Sequence, residues 1–101
     1  MCEFGLPEDV ISEIISVLRK YPEIERAKIF GSRAKGNYMR YSDIDIAIFA
    51  DSQRDLSANV KYDLDELYVI YEFDVLHYEK TSKKEIKEHI DAVGVVFYER
   101  D

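Results

Sequence analysis

Apolar residues recur along this chain with two periods, and the switches between them mark its elements. Val10, Ile11, Ile14, Ile15 and Leu18 share one stripe at helical spacing. Pro7, Glu8 and Asp9 suit the start of a helix, Arg19 and Lys20 suit its end, and Pro22 blocks continuation. The pattern predicts a helix over 7–20. Residues 24–30 read as a strand with Ala27 and Ile29 on one face. Gly31-Ser32 breaks the run. A short helix is expected from Ser32 to about Tyr38, ending near Gly36 and Asn37. A second strand is expected over 43–50, with Ile44, Ile46 and Ile48 turned into a core. After the polar break at Asp51, Ser52 and Gln53, the spacing of Leu56, Val60, Leu64 and Leu67 predicts a helix over 54–68. Residues 69–78 are rich in β-branched and aromatic side chains and read as a third strand. Ser82 and Glu85 have capping-box spacing ahead of a stripe of Ile86, Ile90 and Val93. Gly94 is expected to stop that helix as a left-handed cap, with a short edge strand over 95–98.

Helices alternate with strands, so the expected class is α/β (α+β). It is a small mixed β-sheet flanked by helices in the order α-β-α-β-α-β-α, with a short final strand. At 101 residues the chain is expected to be a single domain over 1–101, without repeats, linkers or low-complexity tracts. Acidic residues outnumber basic ones, 21 to 14, which argues against direct nucleic-acid binding through a general basic surface. The net charge of -7 suits a soluble protein or one that meets a basic partner. The single cysteine, Cys2, allows no intrachain disulfide, so the cytoplasm is the default compartment. Neither a membrane span nor a signal pattern is visible.

Chemistry enters with the second strand. Alternation puts Asp43 and Asp45 on one side of an otherwise apolar segment. Two such acids cost stability unless a cation satisfies them, and a divalent metal is the obvious candidate. Upstream, Gly31 permits close backbone approach to a ligand, and Ser32 opens a helix whose N–H groups attract phosphate. Asp74 is the one carboxylate flanked on both sides by apolar residues of the third strand. If the three aspartates converge, they can hold two divalent ions about 3.5–4 Å apart. Mg²⁺ fits best, because it binds through a few carboxylates and substrate phosphates. Asp74 can also take a proton from an attacking hydroxyl. Arg33, Lys35 and Arg40 lie between the turn and the acids, placed to meet a triphosphate.

Each feature also has a plain reading. Gly-Ser can be an ordinary turn, the paired acids a solvated strand face, and Asp74 an edge carboxylate beside a lysine. Their coincidence favours the site. His77 and His89 fit no metal spacing and read as surface or partly packed residues. Most of the eight tyrosines suit core edges, although Tyr38, Tyr41 and Tyr78 can flank a base by stacking. The acidic outer face of the third helix is either solvated or meets a basic protein.

Gly31-Ser32, followed eleven residues after the serine by Asp43-Ile44-Asp45, resembles the signature of polymerase-β-type nucleotidyltransferases. The fuller strings, residues 31–36 and Ser42-Asp43-Ile44-Asp45, are similar to the minimal branch, the MNT antitoxins partnered with HEPN toxins. Residues 72–76 resemble the strand that brings the third carboxylate, and 94–98 the short last strand. Tyr38 departs from the small residue usual in the family. The resemblance implies that Gly31, Ser32, Arg33 and Ser42 bind the nucleotide phosphates. Asp43, Asp45 and Asp74 would be the catalytic metal ligands for Mg²⁺, two ions, with Asp74 as base. The substrate would be ATP, and the reaction AMP transfer to a hydroxyl, a tyrosine of a cognate HEPN ribonuclease toxin. So small a chain leaves part of the acceptor site to a partner or a second copy, in a homo- or hetero-oligomer. The alternatives are a non-catalytic antitoxin that masks its partner, and a nucleotidyltransferase acting on small molecules.

Overall fold

The computed structural model describes residues 4–100; Cys2 lies outside the described residues. The elements are α1 (Glu8–Arg19), β1 (Ile24–Phe30), α2 (Gly31–Lys35), β2 (Ile44–Ala50), α3 (Ser57–Asp65), β3 (Phe73–His77), α4 (Lys84–Val93) and β4 (Val95–Glu99), with one 3-10 turn at Tyr78–Lys80. The sheet order is β3-β2-β1-β4. β2 and β4 run antiparallel to β1, and β3 runs parallel to β2, so the sheet is mixed as expected. The parallel pair is joined by the α3 crossover.

The two faces of the sheet carry different loads. Ala27, Ile29, Ile44, Ile46, Ile48 and Phe73 face a core filled by Leu6, Ile14, Leu18, Val60 and Leu64. α1 and α3 cover this side, and the Tyr21 hydroxyl on the loop after α1 donates to Asp63 of α3. Burial and that bond push the Tyr21 phenol up to about 12. Asp63 therefore ties the end of α1 to α3 instead of facing only solvent. The opposite face has a smaller cluster of Ala47, Phe49 and Ile90, with Phe30, Leu76, Tyr78 and Ile86 packed on it. Among the described residues, α4 and the 3-10 turn pack on this side, and Asp45 and Asp74 lie there.

The third helix is shorter than its apolar spacing suggests. Asp55 Oδ1 accepts the Ser57 N–H at 2.9 Å and Ser52 Oγ the Arg54 N–H at 3.2 Å, so local side-chain bonds hold 52–56 outside the helix. At the other end Val69 N–H turns back to the Leu67 carbonyl. Residues 69–72 then run as a loop, and β3 starts only at Phe73. The Ser82–Glu85 capping box does not form; α4 starts at Lys84 with no side-chain cap.

Gly94 has φ -65 and ψ 142, so it is not the left-handed cap expected. The glycine is needed for space instead. A Cβ there would lie 2.5 Å from the Ile90 carbonyl oxygen, which accepts the Gly94 N–H at 2.8 Å.

His77 also departs from expectation, being 1% exposed. Its Nδ1 accepts the Leu56 N–H at 3.1 Å, and its Nε2 lies 3.0 Å from the Ala50 carbonyl. These partners assign the neutral tautomer with the proton on Nε2. The ring thus joins the entry to α3 to the end of β2. The substitution His77→Phe keeps a flat ring there but leaves a buried N–H and a buried carbonyl unpaired. At about 1–3 kcal/mol for each group, urea unfolding should show a loss of ~2–6 kcal/mol.

Candidate active site

Strand register places the acids. β1 pairs Phe30 with Asp45, and β2 pairs Asp45 with Asp74. Directly opposed residues share a face, so Phe30, Asp45 and Asp74 form one row across three strands on the thinly covered side. Asp45 is half-buried and Asp74 is exposed. The Asp45 carboxyl is raised from 3.8 to about 6, by burial first, then by Asp74 and Asp43 and by a hydrogen bond with Asp74. Among the described residues, no lysine or arginine forms an ion pair with any of the three aspartates. This corner of the fold concentrates negative charge; Lys61, a basic group that feels Asp74, makes its ion pair with Asp65 instead.

Asp43 sits one residue ahead of β2 and is exposed. It contributes charge at Asp45, but the expected three-carboxylate clamp is not preassembled. Among the described residues, no group of three or more His, Cys, Asp and Glu side chains forms a metal cage. Asp45 and Asp74 nevertheless suit a hard divalent cation that shares its shell with phosphate oxygens. Such an ion needs only one or two protein carboxylates and relieves their repulsion.

Gly31 explains itself at the same corner. Its φ is +71, and a Cβ built on it would overlap Asp45 Oδ2. Both conformation and close approach therefore exclude a larger residue. The glycine opens α2 beside the acid row, Ser32 follows half-buried in its first turn, and Gly36 ends the helix at φ +86.

Arg33 is not where a phosphate ligand would be. It is 2% exposed. Nε and Nη2 donate to the Ser42 carbonyl at 3.1 and 2.9 Å, Nη2 also to Arg40 O at 3.2 Å, and Nη1 to Phe4 O at 2.9 Å. Tyr38 and Tyr71 flank the guanidinium at 5.1 and 5.0 Å. The expectation that Arg33 meets the triphosphate gives way to a structural role: its planar donors gather the carbonyls of the loop that delivers Asp43. Ser42 belongs to that loop, its Oγ accepting the Met39 N–H at 2.7 Å. Lys35 and Arg40 are exposed. Tyr38 is accommodated by Gly5, whose missing side chain leaves room for its ring. Tyr78 stacks on Phe49 at 4.5 Å and bonds Asp91. Neither Tyr38 nor Tyr78 is a free platform for a base.

A cleft of about 360 Å³ runs from the acid row to α4, lined by Phe30, Asp45, Asp74, Val75, Leu76, Glu85, Ile86 and His89. The His89 ring meets Phe30 edge-on at 6.1 Å and 79°. Sequence reasoning set His89 aside for lack of a metal partner. The overlooked signal was its place three residues after Ile86 and one before Ile90, on the inward stripe of α4.

A glycine pressed against one of two adjoining carboxylates, at the start of a short helix on a mixed sheet, is the arrangement at this corner. Residues 12–101 match the family described as "Polymerase beta, Nucleotidyltransferase", and the chain belongs to that family. No curated protein sequence matches it. Among solved structures it is similar to a toxin-antitoxin with AMP-PNP, at TM-score 0.72 and 23% identity, covering 89% of this chain and 73% of that one. It is also similar to a chain from the complex of tri-AMPylated Shewanella oneidensis HEPN toxin with MNT antitoxin, at TM-score 0.71 and 21% identity over 92% and 72%. A third structure is described as a "putative nucleotidyltransferase from Sulfolobus solfataricus", with TM-score 0.59 and 26% identity over 91% and 79%.

The raised Asp45 carboxyl sets a sign. Between about pH 4 and 6 the folded chain keeps a proton that the unfolded chain releases, so this group lowers stability as pH rises through that window. Asp45→Asn should therefore raise the melting temperature of the metal-free protein at pH 8. The gain should shrink as pH falls from about 6 to 4 and be gone below that, as read by thermal melts across pH. Gly31→Ala should lower stability by ~1–3 kcal/mol through the strained backbone and the displaced Asp45.

Proposed function

We propose that this chain transfers AMP from ATP to a tyrosine hydroxyl of a HEPN-type toxin and thereby acts as its antitoxin. The observation that carries the reading is the row of Asp45 and Asp74 beside Gly31. It gives a triphosphate a place for its leaving end next to α2 and its α-phosphate next to two acids. The acceptor then comes from the β3 side, in line with the departing pyrophosphate. A bond forms between the acceptor oxygen and the α-phosphorus as the bridge to the β-phosphate breaks. Asp74, exposed on the edge strand, takes the hydroxyl proton. Asp45, with Asp43 nearby, holds the cation side of the site. Mg²⁺, when bound there, neutralises charge on the α-phosphate and the pyrophosphate.

Two observations support the substrate and partner. Structures of like fold include one described with AMP-PNP and one with a tri-AMPylated HEPN toxin. In this chain, the loops entering the acids from 36–43 and 66–72 expose large apolar side chains: Met39, Tyr41, Tyr68 and Ile70. Tyr38 and Tyr71 approach the same guanidinium, so these loops adjoin. Exposed apolar residues on both suit burial against another protein. A second reading is a module that neutralises by masking alone, for which the same exposed apolar loops would be the working surface.

Label transfer decides between the two. With ATP labelled at the α-phosphate, Mg²⁺ and a HEPN-type toxin that this chain neutralises, the toxin should acquire label, and chelator should abolish it. Asp45→Asn or Asp74→Asn should reduce transfer by ~10²–10³-fold or more, the scale for losing a main electrostatic element. Absence of label with neutralisation intact establishes masking. Separately, Tyr68→Glu or Ile70→Glu should weaken the toxin complex by about tenfold in a calorimetric titration, without changing nucleotide binding.

A further inference from the structure

We propose that the cleft between the acid row and α4 seats the nucleobase of the bound triphosphate, with Phe30, Leu76, Ile86 and His89 as its walls. The inference rests on the nucleotidyl-transfer reading above and assigns the part of the substrate that reading leaves unplaced. The direction follows from the chemistry of the phosphorus centre. In an in-line displacement the entering and leaving oxygens lie on one axis, and the 5′-oxygen that carries the nucleoside stands roughly perpendicular to it. On the transfer reading the axis runs across the strands, along the row that leads from Gly31 past Asp45 to Asp74. A perpendicular direction lies along the strands on the same face, where the cleft opens toward α4.

The lining matches that end of the substrate. At the acid row the cleft carries two carboxylates, and beyond it the walls are largely apolar or aromatic. Among the described residues, no lysine or arginine lines it, so a phosphate or pyrophosphate has no counter-charge there. Flat apolar walls with a few polar groups are what a purine or pyrimidine ring binds, and about 360 Å³ is within the range of small-ligand sites. His89 is half-buried at the cleft, edge-on to Phe30. Among the described residues it makes no hydrogen bond, so its ring nitrogens are free for a polar edge of the base. A tyrosine acceptor does not compete for this space, because it must approach from beyond Asp74, opposite the leaving group.

The test compares two ligands that share phosphates and differ in the nucleoside. Calorimetry in Mg²⁺ would use the β,γ-imido analogue of ATP and inorganic tripolyphosphate, with the full chain and its Ile86→Trp and His89→Ala variants. The wild-type chain should bind the analogue at least about tenfold more tightly than tripolyphosphate, the scale of one stacked base. Ile86→Trp, which fills the cleft, should remove most of that difference and leave tripolyphosphate binding unchanged. His89→Ala should remove part of it, and this smaller change keeps the test valid if the tryptophan variant does not fold. Equal binding of the two ligands by the wild-type chain, or variants that bind the analogue normally, overturns the proposal while leaving nucleotidyl transfer standing. Loss of both ligands in equal measure in a folded variant also overturns it. A wild-type chain that binds neither ligand fails the transfer reading itself, and the base assignment falls with it.

Discussion

Asp45 and Asp74 repel each other, and the fold holds them together all the same. Their proximity is imposed by the parallel pairing of β2 with β3, which aligns Ile44 with Phe73, Ile46 with Val75 and Ile48 with His77. Phe73 and His77 are buried by that register, and so are the three isoleucines. A slip by one residue would turn Phe73 and His77 out of the core and bring the exposed Asp74 in. The apolar side of the sheet therefore sets the register, and the register sets the repulsion on the other side. The raised Asp45 carboxyl records its burial first and that repulsion second. The free energy that keeps two anions adjacent comes from hydrophobic contacts on the far face.

Arg33 works in the opposite sense. A buried cation normally needs a carboxylate, but this one is surrounded by the carbonyls of Phe4, Arg40 and Ser42 and by two tyrosine rings. Charge-assisted bonds to carbonyl dipoles and ring faces replace the counterion. The loop that leads to Asp43 has no regular backbone pairing over 37–43, so the guanidinium organises it. It also anchors the segment before α1 through Phe4, which links the N-terminal part of the fold to the loop entering the site.

Much of this was legible in the residues because periodicity and chemistry agreed. β1 has the bounds expected, and Ile44, Ile46 and Ile48 turn inward as alternation requires. Asp45 and Asp74 could be paired before any coordinates, because both interrupt apolar strands. Arg33 could not be read correctly: its position beside the glycine–serine turn suggested a ligand, and nothing local announced the carbonyls of residues 4, 40 and 42. His77 was hidden for the same reason, since its partners at Ala50 and Leu56 are distant in sequence. Gly94 was recognised as a helix stop, but for a torsional reason, where the actual one is the nearness of the Ile90 carbonyl. The cleft against α4 was missed because it exists only where that helix crosses the sheet.

The junction at Gly94 has a mechanical consequence. α4 passes into β4 through this single residue, fastened to Ile90 and with no space for even one more carbon. β4 is in turn laced to β1. The helix is thus clamped at its last turn, while its first turn follows the uncapped stretch after the 3-10 turn. Any change in the width of the groove beside the acids pivots about the glycine, and Glu85 and Ile86 travel farther than Ile90.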